Sequence, residues 1–293
     1  MRKLLLFLAF ILILSVVANA QQEKGSDKDQ KKPAKITVDE LIAKHLASIG
    51  PADVIASTKS RVMVGEGKVE SKLGAAFILN GQGQIASQGD KVLYALILNS
   101  PVYPYEKAAF DGKDQSLGLP NGRRTVLADF LKSQDSILKD GLFAGALSSA
   151  WPLLDLKSRK SVKLEYAGTS KVADRQCYKL KYTSGRSGSL KTTIYFDAET
   201  YRHLRTTYEY TIEPRIGTSS TDVRSSSRVE RYSLSEDFSD FKMAGKLVLP
   251  FNYVINITNE LQIDAGNFSR EWTFTVLQVY YDEPLEASVF KVS

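Results

Sequence analysis

The chain has 293 residues, 43% hydrophobic and 25% charged, the proportions of a folded globular protein long enough to bury a sizeable core. Its formal charge of +6 is mild, and its basic residues are interspersed with acidic ones rather than stacked with aromatics, which argues against nucleic acid as a partner. One cysteine excludes an intramolecular disulfide, and two histidines leave no metal motif of the His-Glu-x-x-His or paired-Cys kind, so packing alone has to hold the fold.

Arg2 and Lys3 precede an apolar stretch over residues 4–17 in which Ser15 is the single polar residue, and Ala18-Asn19-Ala20 supplies a small-residue cleavage site. That order predicts a secretory signal peptide over residues 1–20, cleaved after Ala20, and hence a periplasmic protein. The apolar run is shorter than the ~20 residues a spanning helix requires. Loss of Arg2 and Lys3 leaves the mature chain at +4, and no cysteine follows the cleavage site to carry a lipid. Residues 21–36 are nearly all Gln, Lys, Asp, Ser and Gly; they offer too little apolar surface to offset the entropy of ordering and are expected to form a flexible leader.

Residues 37–293 are expected to form a single domain. Thr37 and Glu40 make a Thr-x-x-Glu capping box before Val38, Leu41, Ile42, His45, Leu46 and Ile49 at helical spacing, with Gly50 as the stop and Pro51 opening a short second helix to Ser57. From Arg61 the period changes to two, which predicts strands over 61–70, 74–86, 91–99 and 106–111 joined as an antiparallel meander. The third is apolar on both faces, from Val92 to Leu98, and should be covered on both sides. Residues 124–156 interrupt the sheet with a helical pattern carrying Leu127, Phe130, Leu131, Leu142, Phe143, Leu147 and Trp151, divided at Gly141 and ended by Pro152. Strands resume over 161–168, 176–183, 190–197, 201–212, 228–235, 246–258 and 270–282, giving about a dozen in all. In 201–212 the even-numbered positions from Leu204 to Ile212 share one face, while His203, Arg205, Thr207 and Glu209 share a polar one, which places His203 at the surface. The Ser-, Thr- and Arg-rich stretch 214–228 reads as a long mobile connection.

Searched for chemistry, the sequence offers little. Gly185-Arg186-Ser187-Gly188-Ser189 lacks the last glycine of a nucleophile elbow and lies between two strands, so a hairpin turn is expected. Gly65-Glu66-Gly67 and Gly81-Gln82-Gly83 precede no helix that would receive a phosphate, and bulges or turns are expected there. His45 lies on an apolar stripe, the setting of a structural histidine, and Cys177 reads as a buried thiol. No nucleophile, metal or cofactor signal stands out, so the protein is not expected to be an enzyme or to need a cofactor. The pattern is instead a mainly β (α+β) half-barrel: a curved antiparallel sheet with an inserted helical lid on its concave side. The seven apolar lid residues either line a ligand cavity against the sheet or form a filled core, and periodicity does not separate the two.

Several stretches together resemble the LolA-like superfamily of periplasmic lipoprotein and lipid carriers, which includes LolB, the mycobacterial lipid-binding lipoproteins and the stress sensor RseB. They are the exported start, the run from Thr37 through His45 to Gly50, Ala109-Phe110-Asp111-Gly112-Lys113, and the insertion ending Ala150-Trp151-Pro152-Leu153-Leu154-Asp155. Tyr195-Phe196-Asp197-Ala198-Glu199-Thr200, Asp240-Phe241-Lys242 with the Gly245 to Phe251 run, and Asp282-Glu283-Pro284-Leu285 before Phe290 add to it. The resemblance implies a half-barrel whose cavity takes acyl chains. It also implies a carrier of lipid or acylated lipoprotein that makes transient membrane contact, with an inner-membrane transporter or outer-membrane receptor as partner. The alternative is a sensor or interaction module of the RseB type.

Overall fold

The computed structural model describes residues 35–73, 76–118, 125–159, 161–212, 230–261 and 268–292. The expected signal peptide, nearly all of the leader and the 214–228 connection lie outside the described residues. Helix α1 (Val38–Ile49) starts where the capping box predicts, with Thr37 Oγ1 accepting the Glu40 N–H at 3.2 Å, and it buries Leu41, Ile42, His45 and Ile49. Ile36, expected in the leader, is itself buried in the core, so packing begins one residue before the cap. Helix α2 (Ala52–Ser57) follows Pro51.

The strands are β1 (Ser60–Leu73), β2 (Phe77–Gln88), β3 (Lys91–Leu98), β4 (Tyr105–Phe110), β5 (Gln115–Gly118), β6 (Lys163–Val172), β7 (Arg175–Thr183), β8 (Lys191–Asp197), β9 (His203–Ile212), β10 (Glu230–Ala244), β11 (Leu247–Leu261) and β12 (Phe268–Tyr281). They form one open, curved antiparallel sheet in the order β5-β4-β3-β2-β1-β12-β11-β10-β9-β8-β7-β6. The chain therefore enters at the middle of the sheet, walks outward to β5, crosses to the opposite edge at β6, and walks back until β12 pairs with β1. The fold is mainly β, a half-barrel whose crossover is the lid. Two strands depart from expectation. The four-residue β5 was not predicted, because Gln-Ser-Leu-Gly is too short to show alternation. β10 continues beyond Ser235 to Ala244 in one unbroken register with β11, passing through Asp240 at φ 55°.

β1 and β2 bring two glycine pairs face to face, Gly65–Gly83 and Gly67–Gly81. A Cβ on Gly65 would stand 1.9 Å from the Thr275 carbonyl oxygen, and one on Gly83 would stand 2.4 Å from the Phe274 ring. The register with β12 shifts between Val64 and Gly65, so one of the two glycine motifs marks a bulge, and both lie inside strands rather than at turns.

The concave face holds the main core, in which Tyr94, Leu96, Tyr253, Ile255, Trp272 and Phe274 meet the lid. On the outer face, Leu93 and Ala95 are covered by Phe290 of the closing 3₁₀ turn (Ala287–Phe290), as the two-sided pattern of β3 requires. That cover stops short of Ile97, which is 52% exposed.

The crossover is only half as helical as its pattern suggests. Helices α3 (Val126–Ser133) and α4 (Ser136–Lys139) form, but beyond Gly141 there are only 3₁₀ turns over Gly145–Leu147 and Pro152–Ser158. Gly141, Ala144 and Gly145 all take positive φ, at 73°, 65° and 48°, which ends helix propagation. A Cβ at position 141 would lie 2.0 Å from the Ala150 carbonyl oxygen, so the chain doubles back on itself there.

Candidate functional site: a lid latched to the concave sheet

The structure gathers all seven predicted lid residues, Leu127, Phe130, Leu131, Leu142, Phe143, Leu147 and Trp151, into the main core at 2% exposure or less. Phe143 packs edge-on to Tyr94 at 5.6 Å between ring centroids, Phe130 meets Tyr210 at 5.3 Å, and Trp151 stacks on His203 at 4.7 Å. Each such side chain contributes ~1.5–3 kcal/mol by leaving water.

Apolar burial brings the lid backbone with it, and buried N–H and C=O groups need partners. In α3 and α4 the helix supplies most of them. Beyond Gly141 tight turns satisfy part of them, such as the Gly145 N–H on the Leu142 carbonyl and the Leu147 N–H on the Ala144 carbonyl, and side chains of the sheet and of α1 add further bonds. The Ala144 N–H donates to Glu236 Oε1 at 2.7 Å, and Glu236 also accepts from the Tyr208 hydroxyl at 2.6 Å and from Tyr253. Arg61 Nη1 donates to the carbonyls of Ala146 at 2.7 Å and Leu147 at 3.1 Å. The Ser149 N–H donates to Ser87 Oγ at 2.9 Å. Trp151 Nε1 donates to His45 Nε2 at 3.2 Å, which leaves Nδ1 to carry the proton toward the Tyr201 carbonyl at 3.1 Å.

The helical half is fixed mainly at its ends. Thr125 Oγ1 caps α3 by accepting the Ala128 N–H at 3.0 Å and donates to Glu106 Oε1 at 2.8 Å. Glu106 also accepts from Tyr103, whose hydroxyl accepts the Trp272 indole N–H at 3.1 Å. At the far end Asp140 accepts from Ser184 Oγ at 2.5 Å and from Arg186 Nη1 at 2.9 Å. The Gly185 to Ser189 segment is thus a hairpin turn that holds the lid, with Ser184 and Ser187 bonded to each other.

Burial sets the charge states of these latches. It raises the carboxyl groups of Glu106 and Glu236 from 4.5 to about 7, against the hydrogen bonds that favour their ionised forms. It lowers His45 to about 4, holds His203 well below its ordinary value, and brings Arg61 down to about 10, still cationic near neutrality. Burial likewise pushes the Cys177 thiol up to about 11.

His203 is a correction to the sequence reading: it is 1% exposed, not at the surface. The β8–β9 register shifts from Tyr195–Arg205 to Phe196–His203, and this bulge turns His203 inward while Leu204 joins an outer cluster with Val172 and Cys177. The alternation from Thr206 to Glu209 holds as expected. Arg61, Glu106 and Glu236 were not singled out by sequence. The signal was parity: Glu236 sits between Leu234 and Phe238, Glu106 precedes Ala108 and Phe110, and Arg61 precedes Met63, all inward positions.

A cleft of about 960 Å³ opens beside the lid, between α1, α2 and the segment containing Ser149, Leu154 and Asp155; none of the seven predicted residues lines it. Among the described residues no group of three or more His, Cys, Asp or Glu could hold a metal ion, and no helix is long and apolar enough to cross a membrane.

No family model and no curated protein matches the chain. Among solved structures it is similar to a putative outer membrane lipoprotein-sorting protein domain from Vibrio parahaemolyticus, at 12% identity over 86% of this chain and 94% of that one, TM-score 0.46. A DUF1329 family protein from Desulfovibrio piger is similar at 12% identity over 88% and 98%, TM-score 0.44. A LolA superfamily protein from Nitrosomonas europaea is similar at 12% identity over 88% and 99%, TM-score 0.46, and bears the name of the superfamily that the sequence resembles.

Proposed function

We propose that the protein is a periplasmic, non-enzymatic carrier of lipid or acylated lipoprotein, which buries acyl chains between the sheet and the 124–156 lid. One observation supports this reading above the others. The second half of the lid is interior and apolar, yet the bonds described above tie it to the sheet and to α1 through side chains rather than strand pairing. Such a cover can lift without undoing any ladder of the sheet, and the surface it leaves is aromatic and aliphatic. An acyl chain that takes its place gains ~0.8 kcal/mol per buried methylene, which allows a few chains to compete with the lid without covalent chemistry. In this reading the seven lid residues from Leu127 to Trp151 switch between covering the core and contacting ligand. Loading and unloading fall to a membrane transporter or receptor through transient contact, and no cofactor takes part.

The test is native mass spectrometry with lipid extraction on mature protein purified without detergent. A stoichiometric added mass that extracts as acylated lipid is the expected result. Protein that is empty and also refuses a fluorescent fatty acid would overturn the carrier and favour an interaction module of the RseB type.

A further inference from the structure

We infer that the cleft between α1, α2 and the trailing segment of the lid is a second binding site, for a single-chain anionic amphiphile whose head group is received by Arg61. Its volume of about 960 Å³ lies within the range of about 300–1,000 Å³ that small-molecule sites occupy. Leu46, Ile55 and Leu154 make its walls apolar, and Ala43 and Ala47, one turn apart on the exposed side of α1, keep it open. Arg61 also lines it.

The case rests on that arginine. Its side chain is almost wholly buried, Nη1 is engaged by two neutral lid carbonyls, and Nε has no hydrogen-bond partner among the described residues. No carboxylate among the described residues is paired with it; the acidic residue that lines the cleft, Asp155, is exposed and bonded by Ser158. A buried cation satisfied only by neutral groups is stabilised strongly by an anion that reaches it, because a charge-assisted bond replaces lost hydration. A chain with a carboxylate head supplies both parts: apolar length for the walls and charge for the guanidinium.

Occupancy would also act on the lid. Arg61 holds the Ala146 and Leu147 carbonyls, so a carboxylate that draws the guanidinium toward the cleft loosens the lid at that point. This consequence rests on the carrier reading; the binding site itself does not.

The experiment is calorimetric titration of the mature chain with dodecanoate, kept below its micellar concentration, and with dodecan-1-ol as the uncharged counterpart. The expected result is one equivalent of dodecanoate bound, with dodecan-1-ol weaker by about ten-fold or more, the order of one charge-assisted bond. Ala47→Trp fills the cleft from an exposed helix position without touching the core, and should abolish binding; Arg61→Gln should bring the two ligands to equal affinity. Equal affinities in the unaltered protein, no binding, or dodecanoate binding untouched by Ala47→Trp would each overturn the inference. Protein that binds dodecanoate but carries no acyl lipid, and whose Ala47→Trp variant refuses both dodecanoate and a fluorescent fatty acid, would keep this site and sink the carrier. A lipid-loaded protein whose Ala47→Trp variant still binds dodecanoate would do the reverse.

Discussion

The two halves of the lid bury similar apolar side chains and are held by different physics. Over 126–140 the chain is mostly helical, its backbone largely bonded to itself, and its capping and terminal bonds lie at Thr125 and Asp140. Over 141–158 left-handed residues break the helix, only tight turns bond the backbone to itself, and side chains outside the lid add partners: Glu236, Arg61 and Ser87 of the sheet and His45 of α1. Three of those four are ionisable groups carried into a dry interior. Regular structure therefore makes a lid segment insensitive to its surroundings, whereas irregular structure couples it to the charge state of the wall it rests on.

Trp151 gives the largest expected effect and the most direct way to break this comparison. Trp151→Ala removes a wholly buried indole stacked on His203 and bonded to His45, and should lower stability in urea unfolding by ~3–5 kcal/mol. The informative partner is Trp151→Phe, which keeps an aromatic ring but leaves His45 Nε2 without its donor, an expected loss of ~1–3 kcal/mol. Phe130→Leu, in the helical half, changes shape without orphaning a polar group and should cost less than ~1.5 kcal/mol. Equal losses for the two milder variants would mean that polar latching does not distinguish the halves.

A smaller effect appears as a dependence on pH. Glu236 has its proton affinity raised from 4.5 to about 7, chiefly by burial, with Tyr208, Tyr253 and the Ala144 N–H facing it. Between those values the folded state binds more protons than the unfolded one, so stability falls as pH rises through the window and the unfavourable contribution is complete above it. His45, lowered from 6.5 to about 4, works in the opposite sense: its contribution is lost as pH falls through that range. Each tenfold change in proton affinity between the folded and unfolded states is worth ~1.4 kcal/mol, so Glu236→Gln should remove a decline of order ~2–3 kcal/mol between about pH 5 and pH 8. His45 affects protein and variant alike and cancels. Denaturant midpoints at the two pH values measure the difference, and parallel pH profiles would show that Glu236 is not the coupled group.

The same division explains what could be read in advance. Regular elements announce themselves by period: Thr37 with Glu40 gave the start of α1, and alternation from Thr206 to Glu209 gave the faces of β9. The apolar membership of the lid was equally legible, since all seven residues are core. Irregular elements do not repeat. Gly141 was visible as a divider, but nothing local in Leu142-Phe143-Ala144-Gly145 says that Ala144 adopts φ 65°, because that conformation is held by Glu236, ninety-two residues away. His203 was misplaced for a related reason: one bulge inverts the parity on which the assignment depends. The latches occupied inward parity, as Leu234-x-Glu236-x-Phe238 shows, and a charged residue at such a position is a signal in its own right.

The smallest effect sharpens the comparison from the helical side. Thr125 is both the cap of α3 and the donor to Glu106, so through it the start of the regular half depends on a buried carboxyl group of β4. Thr125→Ala should destabilise by ~1 kcal/mol, the ordinary loss of an N-cap, because the helix beyond its first turn retains its own ladder. Hydrogen exchange separates this from a general loosening. Amides in the first turn of α3, such as Ala128, should exchange faster in the variant, while Ala144, whose N–H is held by Glu236, should not change. If Ala144 loosened in step with Ala128, the two halves would form one cooperative unit, and the lid would open as a whole rather than from its irregular end.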